Sequence, residues 1–187
     1  MKNQNDRVLA EIALAAALAY ILSFIKLDIN QSYGISLSLI PIYFISMRRG
    51  FREGLLAGFV VGLIRIVSGN FVMLSILQVM IEYPFAFMCA GFTGLWSNKF
   101  QHQLQTPNDN VAIFTLGVAT FVGTAVEYFV HFIAGVVYWG QYAPEGMNPV
   151  IFSLTANGAS GLCTWLTGFV VLAIILKMNK RLFLVKL

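Results

Sequence analysis

The sequence has 187 residues, of which 58% are hydrophobic and only 11% are charged. This composition and several long apolar runs are typical of a membrane protein and argue against a soluble globular domain. The formal net charge of +4 does not indicate a nucleic-acid partner, because the basic residues lie in separate loops and form no single patch.

The apolar runs predict an all-α, polytopic membrane protein. A membrane-spanning helix needs roughly 20 apolar residues, so a chain of this length has room for about six spans in one membrane domain, residues 1–187. We place the helices at about residues 6–25, 35–47, 54–67, 71–96, 111–139 and 149–176.

Small residues recur on the first predicted helix. Ala13 and Ala17 form one small-xxx-small pair, and Ala15 and Ala19 form a second. Such pairs let another helix approach closely, and this packing is a main source of helix association in lipid. The pairs predict either packing within this chain's own bundle or a docking face for a separate membrane subunit.

The fourth predicted helix carries a polar pair beside a proline. Gln78 and Glu82 lie one turn apart on one face of the helix. Pro84 has no N–H to donate to the carbonyl of Met80, so we expect a kink beside Glu82. In a membrane, such a break is tolerated where neighbours, water or a ligand satisfy the freed carbonyl group.

The distribution of lysine and arginine predicts the orientation. With an even number of helices both chain ends lie on one side of the membrane, and ten basic residues share that side while Lys26 faces the other. This asymmetry predicts cytoplasmic termini and places the loops 26–34, 68–70 and 140–148 outside. The ten residues are Lys2, Arg7, Arg48, Arg49, Arg52, Lys99, Lys177, Lys180, Arg181 and Lys186.

With this orientation, four candidate site residues fall at one depth, in the outer half of the last three helices: Glu82, His131, Trp139 and Asn157. A charge is expensive in a bilayer, so these groups indicate a functional site, and aromatic faces beside a carboxylate suit a flat organic cation. Structural interpretations stay open: an ion pair of Glu82 with Arg65, an interfacial position for Trp139, and an interhelical hydrogen bond for Asn157.

Glu127 and His131 are spaced so that they share a helix face. They predict either a hydrogen-bonded pair that holds the bundle together or a proton relay, and Glu127 is also a candidate partner of Arg65. The sequence has no phosphate-binding loop, zinc-protease motif or nucleophile elbow, and Cys89 and Cys163 lack metal-ligand spacing. We therefore expect neither an enzyme nor a metal site.

Five segments carry a resemblance to a known family. They are EYP at 82–84, HFIAGVVYW at 131–139, QYAP at 141–144, GMNP at 146–149 and NG at 157–158. Together with the six-helix hydropathy and the alanine-rich first helix, they resemble the thiamine-specific S-component of energy-coupling factor (ECF) transporters. The resemblance covers essentially the whole chain, and the block from 131 to 158 is its specific part.

The resemblance implies a multi-pass protein of the bacterial cell membrane that captures thiamine from outside with high affinity. It also implies partners, namely a shared transmembrane coupling subunit and two ATPase subunits. These partners use the ATP, so this chain needs no cofactor of its own. In the family, small residues of the first helix meet the coupling subunit, and Ala15 and Ala19 match that pattern.

The resemblance further implies a ligand site. The family's ligand-binding residues match Glu82, His131, Trp139 and Asn157, with Tyr83 as a neighbour. Three positions differ from the family: Phe152 replaces a tyrosine and so lacks its hydroxyl, Glu127 replaces a basic residue, and the first outer loop has Tyr33 and no tryptophan.

Thiamine fits these residues chemically. Glu82 can offset the fixed positive charge of the thiazolium ring, and His131 and Trp139 offer faces for ring stacking. Asn157 can donate to and accept from the aminopyrimidine edge. Three alternatives stay open: another cargo such as hydroxymethylpyrimidine, a stand-alone proton-coupled carrier that uses Glu127 and His131, and a structural subunit without a ligand.

Overall fold

The computed structural model describes residues 2–25, 27–30 and 33–185. Lys26 and Lys186, which contribute to the predicted orientation, lie outside these residues. The predicted all-α class with six helices is confirmed. The helices are α1 Lys2–Leu22, α2 Leu39–Arg49, α3 Phe51–Val67, α4 Ile76–Gln103, α5 Asp109–Tyr142 and α6 Pro149–Met178.

Three of the helices within the described residues, α4, α5 and α6, are long and apolar enough to cross a membrane by length and composition. The second and third helices are shorter, with 11 and 17 residues. They are separated by Gly50 alone, whose φ of 128° lies in a region that side chains other than glycine rarely adopt. This single residue turns the chain from α2 into α3.

A short hairpin occupies the stretch between α1 and α2. Its strands, β1 Leu27–Asn30 and β2 Tyr33–Ile35, are antiparallel. The hydropathy predicted a loop ending at residue 34 and a helix from about residue 35, whereas α2 begins at Leu39. The reason is a distant contact: the amides of Gly34 and Ser36 donate to Ser160 Oγ (3.2 Å) and Thr164 Oγ1 (3.0 Å) on α6.

The irregularity predicted beside Glu82 is present as a π-helical turn, Ile81–Phe85, which contains Pro84. Helix α5 contains a second π-helical turn, Gly135–Trp139, near its end. Such turns widen an α-helix locally and occur frequently at functional sites. Here the first turn carries the predicted site residues Glu82 and Tyr83, and the second carries Trp139.

Glycines on α3 allow it to lie directly against α4. A Cβ added at Gly62 would lie 2.5 Å from both the Cα of Pro84 and the carbonyl oxygen of Tyr83. A Cβ at Gly58 would overlap the backbone of α4 at Phe87. Close backbone approach through small residues is the usual way that membrane helices pack, and here it places α3 directly behind the π-helical turn of α4.

The two alanine pairs of α1 face different ways. Ala15 and Ala19 are 8% and 0% exposed and pack inside this chain's own bundle, Ala15 against Ile45 and Ala57. Ala13 and Ala17 lie on the exposed face of the same helix. The pair Ala15 and Ala19 therefore packs within this chain's own bundle, and docking of a separate subunit stays a prediction, for which Ala13 and Ala17 are the exposed pair.

Ion pairs join the helices at the end of the bundle opposite the hairpin. Glu11 on α1 accepts hydrogen bonds from Arg48 Nε (3.0 Å) and from Arg49 Nε and Nη2 (both 2.6 Å) at the end of α2. The segment after α6 is fastened at the same end, because Phe183 is fully buried and Gln101 Nε2 donates to its carbonyl at 2.8 Å. The α1, α2 and α4 helices thus meet the carboxy-terminal segment here.

Candidate ligand-binding site

A cavity of about 520 Å³ lies at the hairpin end of the bundle, among β2, α3, α4, α5 and α6. Its volume is in the range of small-molecule sites. Four predicted site residues line it, namely Glu82, Tyr83, His131 and Asn157. Trp139 and Phe152 are not part of the lining, and the structure adds Arg65, Glu127, Tyr128 and Ser160.

Glu82 is the carboxylate with the most defined surroundings in the cavity. It is 8% exposed and lies on the π-helical turn of α4. Its Oε1 accepts a hydrogen bond from Trp139 Nε1 at 2.8 Å, and its Oε2 accepts one from the side-chain amide of Gln78. The ion pair with Arg65, one of the sequence interpretations, is not formed between these described residues.

Trp139 contributes to the site through this contact. It is half-buried at the end of the π-helical turn of α5, and its ring centroid lies 5.7 Å from that of Tyr142. The indole N–H is the only polar hydrogen of its side chain, and the hydrogen bond directs it to Glu82. An interfacial position alone does not account for this contact between α5 and α4.

Two charged groups elsewhere in the lining have unpaired atoms. Glu127 is 1% exposed, its Oε1 lies 3.9 Å from His131 Nε2, and its Oε2 has no hydrogen-bond partner. Arg65 Nε is buried and also lacks a partner, while its guanidinium lies over the rings of Tyr83 (5.6 Å) and Phe87 (5.0 Å). Arg65 and Glu127 form no direct ion pair within the described residues.

Unpaired buried polar atoms are rare in proteins and call for an explanation such as water, an ion or a ligand. Both atoms here belong to side chains that line the cavity. The lining therefore brings together two carboxylates, one guanidinium and an imidazole, beside several aromatic rings. This arrangement suits a small organic molecule that combines a positive charge with flat rings.

Asn157 lines the cavity from α6, where its side-chain amide donates to the carbonyl and to the Oγ of Ser153, both at 3.1 Å. The interhelical hydrogen bond expected of Asn157 is made instead by Ser153, whose Oγ donates to the carbonyl of Phe132 on α5 at 2.8 Å. Phe152 precedes Ser153 and is only partly buried. The five-residue spacing places Phe152 about 140° around α6 from the cavity-lining Asn157.

Sequence reasoning missed Tyr128 and Ser160. The Tyr128 hydroxyl is 2.9 Å from Thr164 Oγ1, and its ring lies 5.7 Å from that of His131, three residues later on α5. The three-residue spacing from His131 could have indicated that Tyr128 shares its helix face. Nothing in the sequence indicated Ser160, because its role depends on the hairpin amide of Gly34. Within the described residues, no group of three acidic, histidine or cysteine side chains that could hold a metal ion is found.

The chain matches the model of a known protein family. The model of a family described as thiamine transporter protein (Thia_YuaJ) matches residues 9–184. The thiamine transporter ThiT of Lacticaseibacillus paracasei is 37% identical over 183 residues, which cover 96% of this chain and 91% of that protein. The thiamine transporter ThiT of Bacillus subtilis is 30% identical over 185 residues, covering 96% of each chain.

A solved structure agrees with the sequence comparisons. A structure of ThiT from Listeria monocytogenes superposes with a TM-score of 0.95 at 38% sequence identity. The match covers 97% of this chain and 100% of that one.

Proposed function

The chain belongs to the thiamine transporter protein family, and from that premise we propose that it is the thiamine-capturing S-component of an ECF-type transporter. The family is one of membrane transporters, in agreement with the transport function and membrane location expected from the sequence. In the proposed function the chain binds thiamine, and partner subunits supply the ATP-driven step.

The observation that carries this proposal is the Glu82 carboxylate. It lies in the cavity lining, is 8% exposed, and has its two oxygens held from α4 and α5. A carboxylate in such a site is costly to bury without a countercharge. The positive charge of a thiazolium ring is fixed and does not depend on a bound proton, so thiamine would offset this cost wherever Glu82 is ionised.

The remaining site residues are assigned by chemistry. His131 and Tyr128, with ring centroids 5.7 Å apart, offer an aromatic surface for a flat ring. Asn157 presents an amide to the cavity and is the candidate partner of the aminopyrimidine edge. Trp139 acts by orienting Glu82 through its indole N–H.

The proposed partners are a transmembrane coupling subunit and two ATPase subunits. The exposed face of α1 is the candidate contact for the coupling subunit, because Ala13 and Ala17 lie there beside Leu14 and Leu18, which are 70% and 50% exposed. Small residues flanked by exposed leucines are suited to close helix–helix packing in lipid.

The first test is a titration of the purified protein with thiamine, followed by intrinsic tryptophan fluorescence. We expect saturable quenching in the wild type. Glu82→Gln removes the countercharge and is expected to weaken binding roughly 10- to 100-fold. Trp139→Ala is expected to remove most of the quenching and weaken binding, because Glu82 loses a donor. Glu145→Gln, at an exposed acidic residue outside the cavity lining, is the matched control and should bind like the wild type.

Other results would change the proposal in defined ways. Tight binding of neutral hydroxymethylpyrimidine without binding of thiamine would keep the capture function and change the cargo. Binding of neither compound would contradict the proposed function.

A further inference from the structure

A buried glutamine behind the cavity connects three parts of the site. Gln78 is 0% exposed and is not part of the cavity lining. Its Nε2 donates to the Glu82 carboxylate and to the carbonyl of Val72 at 3.2 Å, and its Oε1 accepts from the amide of Leu74 at 3.0 Å. Both donor hydrogens and the acceptor oxygen of the side chain are thus engaged.

The segment that Gln78 holds lies at the cavity. Residues 70–75 connect α3 to α4 without regular secondary structure, and Asn70, Phe71 and Val72 line the cavity. The amide of Val72 donates to the hydroxyl of Tyr83 at 2.8 Å, and Asn70 Nδ2 donates to Ser23 Oγ on the far side at 3.1 Å. The segment is therefore held by two side chains of α4, Gln78 and Tyr83, and at Asn70 by Ser23.

We infer that Gln78 is a positioning residue that fixes the Glu82 carboxylate and couples it to the order of residues 70–75. This inference rests on the proposed function, because the consequence is felt when a cation binds at Glu82.

The coupling follows from the hydrogen-bond inventory of a buried amide. A donor hydrogen that loses its acceptor in a buried site costs the full desolvation penalty of the group. If Glu82 turns away from Gln78, the side-chain amide of Gln78 must find another hydrogen-bond acceptor. Any movement of that amide disturbs Val72 and Leu74, because it also holds them. Glu82 therefore has one favoured orientation while the segment is in place, and the segment is held while Glu82 stays in that orientation.

A double-mutant cycle tests the positioning role. Thiamine affinity is measured for the wild type, Gln78→Leu, Glu82→Gln and the double variant. We expect Gln78→Leu to weaken binding roughly tenfold in the wild-type background and less than about twofold when Glu82 is already Gln, because the benefit of positioning requires the carboxylate. Equal losses in both backgrounds would overturn the inference and leave Gln78 with a purely structural role.

The second arm separates the contact of Gln78 with the Leu74 amide from its two donor contacts. Gln78→Glu keeps an oxygen for the Leu74 amide and loses the donors to Glu82 and to the carbonyl of Val72, so we expect weaker thiamine binding with normal hydrogen-exchange protection of Leu74. Gln78→Leu should lose all three contacts. Gln141→Leu, at an exposed glutamine after the second π-helical turn, is the matched control. Wild-type thiamine affinity in Gln78→Glu would overturn the inference.

The design also separates failure of the inference from failure of the proposed function. If the wild type does not bind thiamine, the proposed function fails. The inference is then decided by hydrogen exchange in the ligand-free protein, where unchanged protection of Leu74 in Gln78→Leu would overturn it.

Discussion

Glu127 is a buried carboxyl group with an unpaired oxygen. It is 1% exposed, one of its oxygens has no partner, and the nearest basic nitrogen found for it is His131 Nε2 at 3.9 Å. A buried carboxylate without a close countercharge costs stability. Residues that cost stability in this way are frequently kept for function, and Glu127 lines the same cavity as Glu82.

We predict that Glu127→Gln stabilises the ligand-free protein and weakens thiamine binding. Glutamine keeps the shape and removes a group that is costly to bury in its ionised form, so the melting temperature should rise, and a gain of about 1 kcal/mol corresponds to roughly 2–4 °C for a chain of this size. The cavity also loses one of two carboxylates that balance a cation, so we expect affinity to fall roughly 3- to 10-fold. Thermal unfolding and titration measure the two effects, and a lower melting temperature would show that the ligand-free protein already compensates the charge.

Polar or ionisable side chains within apolar runs were the signal that identified the candidate site residues from the sequence. Glu82, His131 and Asn157 stand out in hydrophobic runs, and all three line the cavity. Phe152 was placed by resemblance, and the structure does not bring it to the cavity. A single ring in an apolar helix gives no indication of the direction it faces, since that depends on how α6 rotates against α5. Residue roles in thiamine binding stay predictions.

At the scale of elements, the site depends on how closely α3 supports the π-helical turn of α4. Gly62 lies against the backbone of Tyr83 and Pro84, directly beside Glu82 in sequence. A methyl group at this position has no space unless the two helices separate. The glycine therefore helps to determine where the carboxylate lies.

We predict that Gly62→Ala lowers stability by about 1–3 kcal/mol through overpacking. Thiamine affinity should fall as well, because Pro84 and its neighbours must shift. Gly158→Ala on α6 is the matched control, since nothing lies within 4 Å of its added Cβ, and it should be neutral or stabilising by up to about 1 kcal/mol. Equal effects of the two substitutions in a denaturation experiment would show that space at Gly62 is not limiting.

Element boundaries were predictable where local chemistry defines them. The last helix was expected from residue 149, and α6 begins at Pro149, with Asn148 accepting from the amide of Val150 at 2.8 Å as its cap. The start of α2 was not predictable, because the hairpin is fastened to Ser160 and Thr164 more than 120 residues later. The sequence predicted a kink at Pro84 and no irregularity at Gly135–Trp139, since that second turn contains no proline.

At the scale of the whole molecule, the proposed function assigns binding to this chain and membrane passage to its partners. The cavity lies at one end of the bundle, and the Glu11 cluster and the buried Phe183 join the helices at the other end. A stand-alone carrier would have to open that other end in a second state. Flux by the chain alone therefore tests the proposed capture function against the carrier.

We predict that the purified chain in liposomes binds thiamine without moving it into the lumen. Adding the coupling subunit and the ATPase subunits should produce uptake that requires ATP. Ala17→Trp, on the exposed face of α1, should abolish uptake and retain thiamine binding, because the ring blocks close helix contact. ATP-independent flux by the chain alone, measured with radiolabelled thiamine, would support the proton-coupled carrier instead.

The bonds from Glu11 to Arg48 and Arg49 have a mechanical consequence. They join α1 to the end of α2, and only Gly50 separates that end from α3. The third helix then runs about 21 Å to Arg65, which forms part of the cavity wall. These contacts connect α1 mechanically to one wall of the cavity, so in the proposed function a protein that docks on α1 would act on the bound molecule from a distance.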